Sequence, residues 1–286
     1  MAFPETASPS RHTTGIILMA VAMLSIPLVD GFAKHLSASY SPLFISWARY
    51  AAASLIVLPF AALRHGTQLL PVERRGAHAL RTVFLVISMT LYFLAIARIP
   101  LATAISAFFV GPIVAVVLSV FVLKEKLTAR KLLSLGLGFG GALVILKPGG
   151  TIDPGLLFAF GSGLCFALYM IATRRASQGS DPIKTLAFQC VIGTFLLTPQ
   201  AVWSWSIPLP GDLIFFAGLG LASAASHMLS ITAFRFADAS TLAPLVYLEL
   251  IGTSLIGYLV FQEVPGLGTL IGATLIVAGG LVLVRR

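Results

Sequence analysis

Residues 91–104 run Leu-Tyr-Phe-Leu-Ala-Ile-Ala-Arg-Ile-Pro-Leu-Ala-Thr-Ala, and 138 positions later residues 229–242 run Leu-Ser-Ile-Thr-Ala-Phe-Arg-Phe-Ala-Asp-Ala-Ser-Thr-Leu. Leu91, Ala95 and Thr103 thus meet Leu229, Ala233 and Thr241. The correspondence extends outwards. At the same offset Ser88 meets Ser226, Val122 meets Val260, Glu125 meets Glu263, Leu132 meets Leu270, Gly141 meets Gly279, and Leu143-Val144 meets Leu281-Val282. Towards the N-terminus the offset becomes 140, aligning Gly15 with Gly155, Leu28 with Leu168, Pro42 with Pro182 and Pro59 with Pro199. Apolar coincidences follow from composition alone, but prolines and glutamates at fixed spacing do not. The chain is an internal repeat.

What is repeated follows from composition. Of 286 residues 58% are hydrophobic and 10% charged, with a mean hydropathy of +0.98. Soluble domains carry about 25% charged residues, so a water-soluble fold is excluded. A helix crossing a bilayer core of about 30 Å needs roughly 20 apolar residues. Such spans fall at 13–35, 42–63, 79–97, 100–123, 131–147, 154–173, 183–202, 212–234, 239–262 and 266–284. The first lacks an Ala-x-Ala-like cleavage site and is expected to be a retained helix rather than a signal peptide. The expected fold is an all-α polytopic membrane protein of ten transmembrane helices. Residues 1–12 form a tail, 13–148 a first five-helix repeat and 149–286 a second. Five is odd, so the copies must be inverted. Inverted repeats are the architecture of alternating access.

The 19 Lys and Arg against 10 Asp and Glu give a net charge of +9, which in a soluble protein would suggest nucleic acid. Here fifteen basic residues fall on one set of alternate loops: Arg11; Arg64, Arg74, Arg75 and Arg81; Lys124, Lys126, Arg130 and Lys131; Arg174, Arg175 and Lys184; Arg235; Arg285 and Arg286. Three, Lys34, Arg98 and Lys147, fall on the other, and Arg49 lies inside the second span. The positive-inside rule then places both termini in the cytoplasm of a multi-pass inner (plasma) membrane protein, with no nucleic-acid partner. Trp203 and Trp205 fit an interfacial aromatic anchor. Cys165 and Cys190 lie within spans and imply neither a disulfide framework nor a metal site.

Several stretches resemble the drug/metabolite transporter superfamily, in particular its EamA family of ten-helix carriers. They are residues 91–104, Gly111-Pro112 followed by an apolar run to Lys124-Glu125-Lys126-Leu127-Thr128, and in the second copy Ala233 through Pro244, Tyr247-Leu-Glu-Leu and Gln262-Glu263. The chain departs from that pattern at Glu249-Leu250, where a proline-containing pair like Gly111-Pro112 is common. The resemblance implies a carrier. Family members move amino acids, riboflavin, S-adenosylmethionine, polyamines or drugs, so the fold leaves the cargo open. Exporters of aromatic and other neutral amino acids are similar in length and layout, which makes amino-acid export the expected function and the other metabolites the alternative.

A charge at mid-membrane costs about 2.5 to 3.5 kcal/mol and requires a partner or a function. Glu249 lies near the middle of the ninth span, where it fits a proton-coupling or amine-binding group. Asp30 and Arg49 stand at similar depth on neighbouring spans, which predicts an ion pair, structural or gating, and Lys34 sits four residues past Asp30 at helix-pair spacing. On the repeat, His227 and Ser230 correspond to Met89 and Tyr92, and Ser106 and Phe109 to Pro244 and Tyr247. If helices 3, 4, 8 and 9 surround the pseudo-two-fold axis, as the resemblance implies, then Tyr92, Ser106, Phe109, His227, Ser230, Tyr247 and Glu249 line a substrate cavity, with Tyr169 as another wall. Gly136-x-x-x-Gly140 and Gly268-x-x-x-Gly272 predict close packing of the fifth and tenth helices or a dimer contact, a monomer being the expected state. Pro27, Pro112 and Pro244 should kink their spans.

No cofactor or metal is called for, a proton being the one co-substrate left open. The chain has no acidic cluster, His227 is its only deeply placed histidine, and Gly161-Ser-Gly is too short to be a nucleophile elbow, so an intramembrane enzyme is not expected. A channel would need a continuous polar lining that these spans lack.

Overall fold

A computed structural model describes residues 9–69, 71, 74–111, 113–114, 118, 128–146, 152–176, 181–233, 236, 245 and 248–284. Ten α-helices occupy them: α1 (Pro9–Leu36), α2 (Pro42–His65), α3 (Arg75–Ile96), α4 (Leu101–Phe108), α5 (Ala129–Leu146), α6 (Pro154–Ala176), α7 (Pro182–Trp203), α8 (Leu213–Ala233), α9 (Leu248–Phe261) and α10 (Leu267–Val284). Five described segments are long and apolar enough to span a membrane, and four shorter apolar helices accompany them. The chain is a polytopic all-helical membrane protein. Its helices run antiparallel in sequence, so one face carries Leu36, Pro42, Ile96 and Phe261 and the other His65, Arg75 and Pro182.

Repeat-equivalent helices start alike. Ser41 caps α2, accepting from the Leu43 N–H at 3.3 Å ahead of Pro42. Asp181 caps α7, accepting from the Ile183 and Lys184 N–H groups at 2.9 and 3.2 Å around Pro182. In each case an acceptor side chain satisfies first-turn donors and a proline stands where no N–H is needed.

Packing follows the repeat. α3 packs chiefly on α6 and its counterpart α8 on α1, while the equivalent pairs α2–α7 and α5–α10 meet each other across the pseudo-two-fold axis. On that axis Ser54 Oγ and Thr194 Oγ1, 140 residues apart, share a hydrogen bond of 3.3 Å. These contacts express the two inverted five-helix copies in space.

One break and two close approaches shape the interior. α4 ends at Phe108, where Pro112 can supply no N–H to the carbonyl four residues earlier. The freed Phe108 carbonyl lies over Gly163 of α6, where a Cβ would stand 2.6 Å from it; a Cβ on Gly111 would stand as close to the Gly163 carbonyl. The α5–α10 interface differs from expectation. Gly141 and Gly272 face each other's backbone, but Gly136 and Gly140 look into open space. The contact stripe on α5 is therefore one residue out of register with the expected Gly-x-x-x-Gly.

Lys34 also departs from its predicted local pairing with Asp30. Its ammonium forms an ion pair with Glu263 and donates to the carbonyls of Ile96 and Ile99 at 3.0 and 2.9 Å. Glu263 also accepts from the Leu101 N–H at 2.8 Å, capping α4.

Candidate functional site

Pro27 of α1 packs against Gly252 of α9, where a Cβ would lie 2.7 Å from the proline ring. This approach brings the next turns together. Thr253 Oγ1 donates to Asp30 Oδ2 at 3.3 Å, and the Tyr92 hydroxyl of α3 donates to the same oxygen at 3.3 Å. Glu249, in the first turn of α9 and 9% exposed, is within electrostatic reach of Asp30, as is Tyr92 of both carboxyls. A helix N-terminus favours a carboxylate by its aligned N–H groups. Neither acid has a salt-bridge partner among the described residues.

A basic half adjoins this acidic half. Arg49, 4% exposed on α2, donates from Nε to Ser223 Oγ of α8 at 2.9 Å. Its guanidinium lies 5.2 Å from the Tyr50 ring and 5.9 Å from the Phe93 ring. Among the described residues, Nη1 of Arg49 and the hydroxyl of Tyr50 are both buried without a hydrogen bond within 3.5 Å. Across the axis Arg81, equally buried on α3, donates from Nη2 to the Tyr169 hydroxyl of α6 at 2.9 Å and to Gln189 Oε1 of α7 at 3.2 Å. His227 of α8 is within electrostatic reach of both guanidiniums. The crossings α2–α8 and α3–α7 are repeat equivalents, and each holds one buried arginine. At about 1.5 Å per residue, Arg49 lies roughly 10 Å from the Leu36 face and Arg81 roughly 9 Å from the opposite one.

The predicted site residues divide accordingly. Tyr92, Glu249 and Asp30 converge on the acidic half; His227, Tyr169 and Arg49 converge on the basic half. Ser106 instead donates to the Ala102 carbonyl of its own helix at 2.6 Å, and Phe109 is 1% exposed within the aromatic core beside Phe108. Ser230 points at Met19 Sδ of α1, 3.8 Å away. Tyr247 and Pro244 lie outside the described residues. The expected Asp30–Arg49 ion pair does not form: Arg49 attracts Asp30 electrostatically, but its Nε bonds Ser223 while Asp30 accepts from Tyr92 and Thr253. A cleft of about 290 Å³ lies between α3 and α7, bounded by Val83, Val86, Ile87, Leu196 and Leu197, and no candidate residue lines it. Among the described residues no group of three His, Cys, Asp or Glu side chains is disposed to hold a metal ion.

Sequence reasoning missed Arg81, counting it with the loop residues Arg74 and Arg75. A signal was present: Arg81 falls within the apolar span 79–97. Gln189, the repeat counterpart of Arg49 at an offset of 140, was missed because nothing marks one polar residue within a span.

The family and its relatives can now be compared with this arrangement. The EamA-like transporter family matches twice, over residues 13–147 and 153–285. An S-adenosylmethionine uptake transporter of Rickettsia prowazekii is 25% identical over 274 residues, covering 96% of this chain and 93% of that one. Its Rickettsia bellii counterpart is 28% identical over 276 residues, 96% and 94% of the two chains. A riboflavin transporter of Vibrio cholerae is 26% identical over 268 residues, 92% and 90% of the chains. A solved crystal structure shares the fold, with a TM-score of 0.65 at 19% identity over 96% of each chain. With both repeats matched along almost their whole length, the chain belongs to the EamA-like transporter family.

Proposed function

We propose that the protein is a secondary carrier that moves a polar, ring-bearing metabolite across the inner membrane by alternating access, with both termini in the cytoplasm. The observation that carries this reading is the polar seam at the heart of an apolar bundle, where the guanidiniums of Arg49 and Arg81 and the carboxyls of Asp30 and Glu249 are all buried. Such groups are costly to insert and mark a substrate or ion pathway. The names of the relatives favour S-adenosylmethionine or riboflavin as cargo over the aromatic amino acids suggested by length and layout. The relatives named for uptake also favour inward flux.

Counterflow in liposomes tests the reading. Purified protein should exchange labelled S-adenosylmethionine or riboflavin for unlabelled compound, with saturation. Leakage without saturation, or no exchange of either, would overturn it.

A further inference from the structure

We infer that Arg49 and Tyr50 form an anion-binding subsite, facing the acidic pair Asp30 and Glu249, and that the cargo is therefore zwitterionic, a carboxylate and a cationic centre on one small molecule. This rests on the carrier reading above and names the chemistry of its site. Arg49 uses Nε on the neutral hydroxyl of Ser223. Nη1 and the adjacent Tyr50 hydroxyl are buried, and among the described residues neither makes a hydrogen bond within 3.5 Å, although the guanidinium and the phenol interact electrostatically. A buried donor left unpaired is destabilising, and the two sit on consecutive residues of one helix, with the guanidinium 5.2 Å from the phenol ring. Together they offer two donors to the oxygens of a carboxylate, which accepts charge-assisted hydrogen bonds better than any neutral group.

The opposite end of the seam has the opposite need. Among the described residues Asp30 receives only the neutral Tyr92 and Thr253 hydroxyls, and Glu249 adds a second acid within electrostatic reach. An ammonium or sulfonium placed there would meet both carboxyls. Tyr92 donates to Asp30 while the ring of the next residue, Phe93, lies 5.9 Å from the Arg49 guanidinium, which makes the two subsites near neighbours. A dipolar molecule spanning them would neutralise both, whereas an uncharged flavin would leave both charges buried and uncompensated.

The two cargo chemistries named for the relatives differ in this respect. S-Adenosylmethionine carries a carboxylate, an ammonium and a sulfonium; riboflavin is uncharged. The test is equilibrium binding of labelled S-adenosylmethionine, its decarboxylated form and riboflavin to purified full-length protein, for wild type, Arg49→Gln and Tyr50→Phe. Wild type should bind S-adenosylmethionine at least about tenfold more tightly than the decarboxylated form. Arg49→Gln should abolish that difference by weakening S-adenosylmethionine alone. Tyr50→Phe removes only an unpartnered hydroxyl, so it should elute and melt as wild type and still show a selective loss of about threefold or more, which keeps the test open should Arg49→Gln misfold.

Equal wild-type affinity for the two forms, or equal weakening of both by a folded variant, would overturn the inference. Binding and counterflow of riboflavin without S-adenosylmethionine would overturn the zwitterion while leaving the carrier standing. Exchange of neither would remove both.

Discussion

Lys34 and Glu263 lie more than two hundred residues apart yet pair at one face of the bundle, the lysine holding the carbonyls of Ile96 at the end of α3 and of Ile99 just beyond it, and the glutamate capping the first N–H of α4. Four chain segments meet in this one pair: the end of α1, the end of α3, the start of α4 and the α9–α10 connection. A link of this kind must break if that face is to open. Glu263→Gln keeps an acceptor for Leu101 but loses the charge. In a background without Cys165 and Cys190, a cysteine at Thr253 should react with a small maleimide about tenfold faster in Glu263→Gln than in its parent, as loss of about 1.4 kcal/mol from the closed state would give. An unchanged rate would mean that the pair does not control access.

Repeat symmetry carries this prediction to the other face. Glu263 corresponds to Glu125 at an offset of 138, and Lys34 to Arg174 at an offset of 140. The same acid–base combination therefore recurs in the inverted copy, in side chains outside the described residues. If the inverted halves exchange conformations, as the carrier proposed above requires, Glu125 and Arg174 are the residues whose change should act on the opposite face. Glu125→Gln should then shift the same maleimide rate in the opposite direction, slowing it by several-fold. A faster rate, as for Glu263→Gln, would break the symmetry argument.

The repeat and the helix positions were legible because they depend on local composition and on prolines whose effect is confined to one turn. The partners of the charged residues were not. Lys34 sits at helix-pair spacing from Asp30, but that spacing describes only what one helix offers. Glu263 competes with a full charge, together with the carbonyls of Ile96 and Ile99 at and just beyond the end of α3. Arg49 and Asp30 match in depth, a one-dimensional coordinate, while pairing depends on how each helix is rotated. Arg81 was lost to counting because a basic residue less than two turns inside a helix contributes to loop charge in the same way as one outside. Gly136 and Gly140 satisfy the small-residue spacing, but the rotation of α5 presents Gly141 and Gly138 instead.

The glycines yield a paired prediction. A Cβ at Gly163 would fall 2.6 Å from the Phe108 carbonyl, which belongs to backbone and cannot swing away, whereas Gly136 has nothing within 4 Å. Gly163→Ala should cost about 2 kcal/mol or more, lowering the melting temperature by several degrees. Gly136→Ala should be neutral or slightly stabilising through helix propensity. Thermal melts in one detergent compare the two, and equal effects would contradict the packing described.

Tyr40, in the turn between α1 and α2, donates to Asp212 at 2.6 Å and accepts from the Leu209 N–H at 2.9 Å. The Asp212 carboxylate at the phenol raises its pKa above the usual 10.0, since ionisation would set two negative charges together. The clamp is therefore present in full below pH 10, and it is lost as the pH rises through the raised value. Tyr40→Phe should melt below wild type at neutral pH, and the gap should close only above pH 10. A gap that closes at lower pH would assign the effect to another group.

Asp30 and Glu249 supply the last prediction. Two carboxyls in electrostatic contact inside an apolar bundle are most stable when they share one positive charge, and that charge can come from cargo or from a proton. A carrier with a cationic cargo would then bind the cargo and a proton competitively. Glu249→Gln leaves Asp30 with its two hydroxyl donors and removes the second acid. Apparent affinity of wild type for S-adenosylmethionine should weaken as the pH falls, while that of Glu249→Gln should be lower throughout and flatter with pH. Transport by Glu249→Gln with the wild-type pH profile would show that Glu249 carries neither the cargo cation nor the proton, leaving Asp30 alone to do so.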